Sequence, residues 1–211
     1  MGCALTDFWP KVMAGCLPHW REAVRQIVHD AEPRRAQADY NTGSIAEDEA
    51  CALLALAAYI NAKTVIEIGT FIGTSTLAMA AAPTVTRVYT CDASNDCLPA
   101  TERVITYPKQ SSTAMLADLQ KRGVKADLCF FDGVLPEDDL PRLWKVTTPE
   151  TVYAVHDYNY GPKIRKGGAL ETVARKGVGN VRVLQPHLPG HVLVKPQPDT
   201  TVAALVPRSL L

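Results

Sequence analysis

The stretch Val65–Ala82, VIEIGTFIGTSTLAMAAA, decides the fold. Thr64, Val65 and Ile66 open a β-branched apolar run that ends on an acid, Glu67. β-Branched side chains favour a pleated, buried strand. Gly69 and Gly73 follow, with Thr74, Ser75 and Thr76 behind them, and then a small apolar run, Leu77–Ala82, that suits a helix. A strand, a tight glycine loop and a helix N-terminus therefore succeed one another. Such a crossing brings backbone N–H groups and the positive end of a helix up to a ligand. The stretch reads as a nucleotide-type cofactor site.

On both sides of it the chain alternates. Thr64–Ile68, Arg87–Asp92, Val104–Tyr107, Ala126–Asp132 and Val152–Asp157 read as strands. Ser75–Ala82, Cys97–Glu102, Ser112–Arg122, Glu137–Val146 and Gly168–Lys176 read as helices. This alternation implies an α/β, Rossmann-like, doubly wound sheet that is mostly parallel. Val181–Gln185 and His191–Lys195, joined by Pro186–Gly190, read as a C-terminal antiparallel hairpin that completes seven strands. Upstream, residues 1–45 read as an N-terminal helical cap, amphipathic over Trp20–Ala31 and punctuated by Pro10, Pro18 and Pro33. An Ala- and Leu-rich helix, Ala46–Ile60, follows, with Ser44 as N-cap and Glu47 as its capping-box partner. The whole chain is expected to be one domain, with its core over 46–196 and an irregular tail over 197–211. Pro196, Pro198 and Pro207 mark that tail, and Leu205–Ser209 is close to a protease-tag sequence.

Composition narrows the function classes. The chain has 211 residues, a formal net charge of +0 and 47% hydrophobic residues. That is enough chain for one sizeable core. The neutral balance gives no bulk-charge argument for a nucleic-acid partner. No apolar run approaches the roughly 20 residues of a membrane span, and the N-terminus lacks the pattern of a secretion signal. The six cysteines form no C-x-x-C, which suits reduced thiols and a cytoplasmic setting. The expected partner is a small molecule, and the helical cap offers a surface for a homodimer.

The glycine spacing discriminates among cofactors. A dinucleotide turn wants G-x-G-x-x-G, but here Phe71 stands between Gly69 and Gly73. A phosphate loop of the Walker type needs a lysine after its last glycine, and Gly73 is followed by Thr74. Both omissions count against nicotinamide and nucleoside triphosphate cofactors. Glu67–Ser75, EIGTFIGTS, resembles motif I of the class I S-adenosylmethionine (SAM)-dependent methyltransferases. The resemblance is to the small O-methyltransferases of the catechol and caffeoyl-CoA type and their antibiotic-tailoring relatives, over about Thr42–Lys195. It implies that the glycine loop passes under the methionine part of SAM. Glu67 then holds the cationic end, while the loop N–H groups and Ser75 take the carboxylate.

The same resemblance gives further positions their roles. Asp92, at a strand end, accepts from the ribose hydroxyls. Ser111 and Ser112 lie in the turn beside the adenine, where Ser112 either donates to the ring or caps a helix. Thr42, Gly43 and Ser44 belong to a loop that folds over the cofactor, with simple capping by Ser44 as the alternative. Asp132 and Asp157 end two further strands, where open α/β sheets bind ligands. Two acids there can hold a hard cation such as Mg²⁺, which orients an acceptor hydroxyl and eases its ionisation. In catechol-type relatives an asparagine directly follows the second acid. Here Tyr158 intervenes and Asn159 comes one later. In antibiotic-tailoring relatives a histidine often follows the first acid, where this chain has Gly133 and Val134. His156 is a candidate ligand or general base, with a buried, hydrogen-bonded histidine as the alternative.

Of the remaining candidates, His187 and His191 lie near the hairpin, within reach of a substrate mouth or simply exposed. Lys163, Arg165 and Lys166 form a basic loop, and Tyr158 and Tyr160 suit the wall of a substrate pocket. The expected activity is SAM-dependent O-methylation of a small molecule, with or without Mg²⁺. The catalytic candidates are Asp132, Asp157 and His156. The alternatives are a non-catalytic SAM-binding protein of the same fold and a nicotinamide-dependent oxidoreductase.

Overall fold

The computed structural model describes residues 7–36, 44–93, 101–158, 176–196 and 200–211. Helices α1 (Phe8–Ala14), α2 (Pro18–Arg35) and α3 (Glu47–Tyr59) come first. The alternating part follows as β1 (Thr64–Ile68), α4 (Thr74–Ala81), β2 (Arg87–Asp92), β3 (Val104–Pro108), α5 (Ser112–Lys121), β4 (Leu128–Phe131), α6 (Leu140–Val146) and β5 (Val152–Val155). The chain closes with α7 (Lys176–Leu184), β6 (His191–Val194) and β7 (Ala203–Pro207).

The strands form one seven-stranded sheet in the order β3-β2-β1-β4-β5-β7-β6. Strands β1 to β5 pair in parallel, and β7 pairs antiparallel with both β5 and β6. The doubly wound, mostly parallel reading of the sequence therefore holds. β1 is the switch point, with β2 on one side and β4 on the other, and such a crevice at the strand C-termini is where this architecture takes ligands.

Burial follows the period of two along each strand. Val65, Val88, Leu128, Phe130, Val152 and Ala154 face one layer, formed with α1 to α4. Ile66, Ile68, Cys91, Cys129, Phe131, Tyr153 and Val155 face the other, with α5, α6 and α7. Helix α3 is buried from Glu49 to Ala57, because α1, α2 and α4 all pack on it. Its small alanines permit that close approach, and an acid on such a helix requires partners. Among the described residues no helix is long and apolar enough to cross a membrane.

Three expectations are corrected. Val181–Gln185 is not a strand: its first four residues finish α7, and Gln185 opens a short 3-10 turn. Val181 and Leu184 are buried while Arg182 is exposed, which is the i, i+3 spacing of a helix face. The C-terminal hairpin is instead β6 with β7. The tail is likewise not irregular through residue 207. Val202 to Val206 are fully buried at 0%, and β7 is an interior strand rather than an appended tag. Pro207 ends this apolar run, so it does not interrupt the ladder, and Pro198 lies outside the described residues. Third, Ser44 does not cap α3. Ala46 is the N-cap residue, and its N–H donates to the Glu49 carboxylate at 2.9 Å. The helix expected over Cys97–Glu102 lies largely outside the described residues, as does the one over Gly168–Lys176 apart from Lys176.

Candidate active site

Gly69 is the tightest point of the glycine loop. Its φ is +96°, and a Cβ there would sit 2.6 Å from the Gly133 backbone nitrogen. Only glycine lets β1 turn while touching the end of β4 so closely. The approach is fixed by the Asp132 and Gly133 N–H groups, which donate to the Ile68 carbonyl at 3.0 and 2.7 Å. Phe71 takes a positive φ of 47°, a conformation that costs a non-glycine residue about 1–2 kcal/mol. Its N–H donates to Asp92 Oδ2 at 2.9 Å, and its ring lies under the Arg35 guanidinium, 5.2 Å from the centroid. Arg34 Nε donates to the Ile72 carbonyl at 2.8 Å, so α2 braces the loop from outside. Gly73, at φ +81°, is the N-cap of α4.

Asp92 thus borders the loop with a carboxylate, and the Phe71 amide is already spent on it. A pyrophosphate would lose one donor and meet a negative charge. A ligand with cationic and hydroxyl groups gains an acceptor at the same place.

Glu67 does not reach this space. It is fully buried and accepts from Ser75 at 2.5 Å, from Thr90 at 2.6 Å and from Thr76. Burial pushes its carboxyl up, the three hydroxyls pull it back, and it settles at about 7. Glu67 and Ser75 therefore tie β1 to α4 beneath the loop, and these hydroxyls occupy the Glu67 carboxylate expected to hold the cationic end of the cofactor. Ser111 caps α5, accepting from the Ala114 N–H at 3.4 Å. Ser112 is buried and donates to Asp139 at 2.6 Å, so its hydroxyl does not point at a ring. Ser44 donates to Thr74 Oγ1 at 2.9 Å, which brings its segment to the start of α4. Thr42 and Gly43 lie outside the described residues.

The second half of the site is a cluster at the ends of β4 and β5. His156 Nδ1 lies 2.9 Å from Asp132 Oδ1 and 3.6 Å from Asp157 Oδ1, and Nε2 lies 3.1 Å from Glu49 Oε2. Asp157 turns with a positive φ of 58°, and this ends the strand alternation and allows adjacent residues to face one place. Carboxylates only accept, so both ring nitrogens donate when no other cation is near. Burial alone would depress the imidazole, but Asp132 and Glu49 raise it to about 10. Burial alone would raise Glu49, but the histidine, Thr201 and the Ala46 N–H hold it at about 2. Both ring nitrogens thus face carboxylates, which is the buried, hydrogen-bonded arrangement expected as the alternative for His156. Among the described residues, three carboxylates, Glu49, Asp132 and Asp157, surround this one imidazole.

The family model for O-methyltransferases matches residues 22–125, which spans the glycine loop and Asp92. Over that segment, just under half of its length, the chain is similar to the O-methyltransferase family. Its fold is shared by the O-methyltransferase from Bacillus cereus solved with SAH, at 18% identity and TM-score 0.66, covering 86% of this chain and 90% of that one. TomG from Streptomyces achromogenes, involved in tomaymycin synthesis and solved with SAM, matches at 20% identity and TM-score 0.59, covering 86% and 89%. The SAH-bound methyltransferase PaMTH1 from Podospora anserina matches at 15% identity and TM-score 0.58, covering 99% and 97%. No curated protein matches the chain.

The expected triad Asp132, His156 and Asp157 does converge, while Asn159 lies outside the described residues, as do Lys163, Arg165, Lys166 and Tyr160. Tyr158 packs half-buried on the second core layer, and its N–H donates to the Thr201 carbonyl. His187 and His191 do not reach the substrate mouth. They line a cavity of about 360 Å³ with Trp144 and Tyr153. That cavity lies at the opposite edge of the sheet, where His191 Nε2 donates to the Thr151 carbonyl at 2.8 Å.

Three participants escaped the sequence. Glu49 comes from a helix far upstream and also accepts from the Thr201 N–H and hydroxyl at 2.9 and 2.6 Å. Thr201 lies in the stretch set aside as tail. Asn180 takes the Leu135 N–H and donates to the Gly133 carbonyl, at 3.0 and 2.9 Å, fixing the turn after Asp132. The sequence gives no signal for Glu49, because it is the third of three successive acids, Glu47, Asp48 and Glu49, in the first turn of α3, which reads as an ordinary helix start.

Proposed function

We propose that the protein transfers the methyl group of SAM to an oxygen of a small acceptor. The carrying observation is the pairing of two features at one sheet edge: a glycine loop bordered by Asp92, and the Asp132–His156–Asp157 cluster beside it. The loop and the Asp92 carboxylate suit a cofactor that has hydroxyls and cationic groups and no phosphate. The β4 approach at Gly69 brings the glycine loop and the cluster side by side, which supports a reading in which an acceptor over the cluster would face a methyl donor held at the loop. Transfer needs the oxygen, carbon and sulfur in line, and alignment of bound partners supplies much of the rate.

The residues fit a cation. Asp132 and Asp157 are partly open, at 21% and 13% side-chain exposure, and each offers a carboxylate oxygen close to His156. They would hold a divalent ion, which when bound lowers the pKa of an acceptor hydroxyl. Asp132 and Asp157 would orient the acceptor and take up its proton, which then passes to solvent. Calorimetry tests the cofactor assignment: SAM and SAH bind, and NAD does not. NAD binding without SAM binding would overturn it. A mass-spectrometric screen with labelled SAM then reads which acceptors gain a methyl group.

A further inference from the structure

Resting on the reading of Asp132 and Asp157 as a cation site, we propose that His156 Nδ1 is its third protein ligand, held by Glu49, and that the site takes an imidazole-accepting transition ion. Fe²⁺, Co²⁺ and Zn²⁺ are the ions of this class, with Mg²⁺ the poorer fit.

The argument is geometric. Nδ1 stands 2.9 Å from Asp132 Oδ1 and 3.6 Å from Asp157 Oδ1. One ligand atom from each of these three residues falls within 4.8 Å of the others. Ligands about 2.1 Å from one ion lie roughly 3–3.5 Å apart when adjacent, so the hydrogen-bonded 2.9 Å pair and the 3.6 Å pair need little movement to share an ion once the Nδ1 proton has left. The imidazole is presented from behind, because Nε2–H donates to Glu49 Oε2 at 3.1 Å. A metal-ligating histidine characteristically gives its other N–H to a carboxylate, which fixes the ring and raises its basicity. Glu49 is itself immobile, bound by the Ala46 N–H and by Thr201. Its side chain is 8% exposed and that of His156 10%, so Glu49 is a positioning residue and not an open ligand. An ion at Nδ1 replaces the proton there, which leaves to solvent, so a divalent ion adds one net positive charge to the cluster. A nitrogen donor suits borderline ions, whereas Mg²⁺ prefers oxygen and water. The sequence departs from the family pattern at this point: Tyr158 separates Asp157 from Asn159, and the residue before Asp157 is the histidine.

Any site of nitrogen and oxygen donors prefers transition ions over Mg²⁺ to some degree, so preference alone tests nothing. The test is the ligand. The metal-stripped full-length protein is loaded with Co²⁺, and its ligand-field absorption and pulsed-EPR nitrogen coupling are recorded. Calorimetric affinities for Co²⁺ and Mg²⁺ are measured alongside. The expected result is nitrogen coupling in the parent that is lost in His156→Asn and kept in His187→Gln. Co²⁺ affinity falls by about 10–100-fold in His156→Asn and in Glu49→Gln, while Mg²⁺ affinity moves less than about threefold. Absence of nitrogen coupling in the parent, which needs no variant to fold, overturns the proposal. So does an equal loss of both ions in His156→Asn. SAM affinity measured on the same samples keeps the two readings apart: normal SAM binding without nitrogen coupling removes only this ligand assignment, and absent SAM binding removes the cofactor assignment.

Discussion

Replacing Gly69 by alanine isolates the close approach that joins the two halves of the site. The added Cβ would lie 2.6 Å from the Gly133 nitrogen and 3.0 Å from the Asp132 carbonyl carbon. Both are backbone atoms, so no side chain can swing away. Ordinary contact begins near 3.4 Å, and β1 and β4 must part by most of that shortfall. Overpacking of this kind costs about 1–3 kcal/mol, and the positive φ adds about 1–2 kcal/mol. The sum is about 2–5 kcal/mol. Gly123→Ala is the control, because its φ of +65° carries a similar conformational cost and its Cβ meets nothing within 4 Å. Urea unfolding of the parent and both variants at one pH gives the two values. The clash predicts that Gly69→Ala loses at least about 1 kcal/mol more than Gly123→Ala. Its SAM affinity also falls, because Asp132 and the loop are displaced from one another. Equal losses in the two variants would refute the close approach and the geometry built on it.

Other perturbations probe the remaining contacts. Asp92→Ala removes the acceptor of the Phe71 N–H and a charge-assisted bond of about 1.5–3 kcal/mol, so calorimetry should show SAM affinity weakened about 10–100-fold. In the metal-free protein, Glu49→Ala leaves a buried imidazolium without one partner, and denaturant unfolding should lose about 3–5 kcal/mol. The pH dependence of that stability has two arms. Glu49 is depressed to about 2, so its contribution is present above the ordinary carboxylate pKa and is lost as pH falls toward 2. His156 is raised to about 10, so its contribution is present below its ordinary pKa near 6.5 and is lost as pH rises toward 10. A flat acid arm between pH 5 and 2 in the parent would contradict the pairing. Leu205→Ala, at a position fully buried in β7, should cost about 2–5 kcal/mol in urea unfolding, whereas a dispensable tag residue would cost nothing.

Local pattern determined much of this protein. The run from Thr64 to Ala82 specifies strand, glycine turn and helix through side-chain type alone, and the alternation after it specifies a parallel sheet. Asp92, Asp132 and Asp157 were legible because acids that end apolar strands fall at one sheet edge in this topology. Phe71 between the glycines excluded the pyrophosphate turn, and the tertiary structure adds the reason, an amide spent on Asp92. Other features depended on distance in the chain. Glu67 has the same residue type whether it faces a ligand or three buried hydroxyls, and only the packing of α4 on β1 and β2 decides that it faces the hydroxyls. Val181–Gln185 carries enough β-branched residues for a strand, and burial of Val181 with Leu184 decides for a helix. β7 could not be recognised from its prolines and tag-like letters, since its stability comes from pairing with β5 and β6 on either side. Glu49 and His156 are 107 positions apart. No local rule couples them, and their ion pair exists because α3 packs across the sheet beside the end of β5.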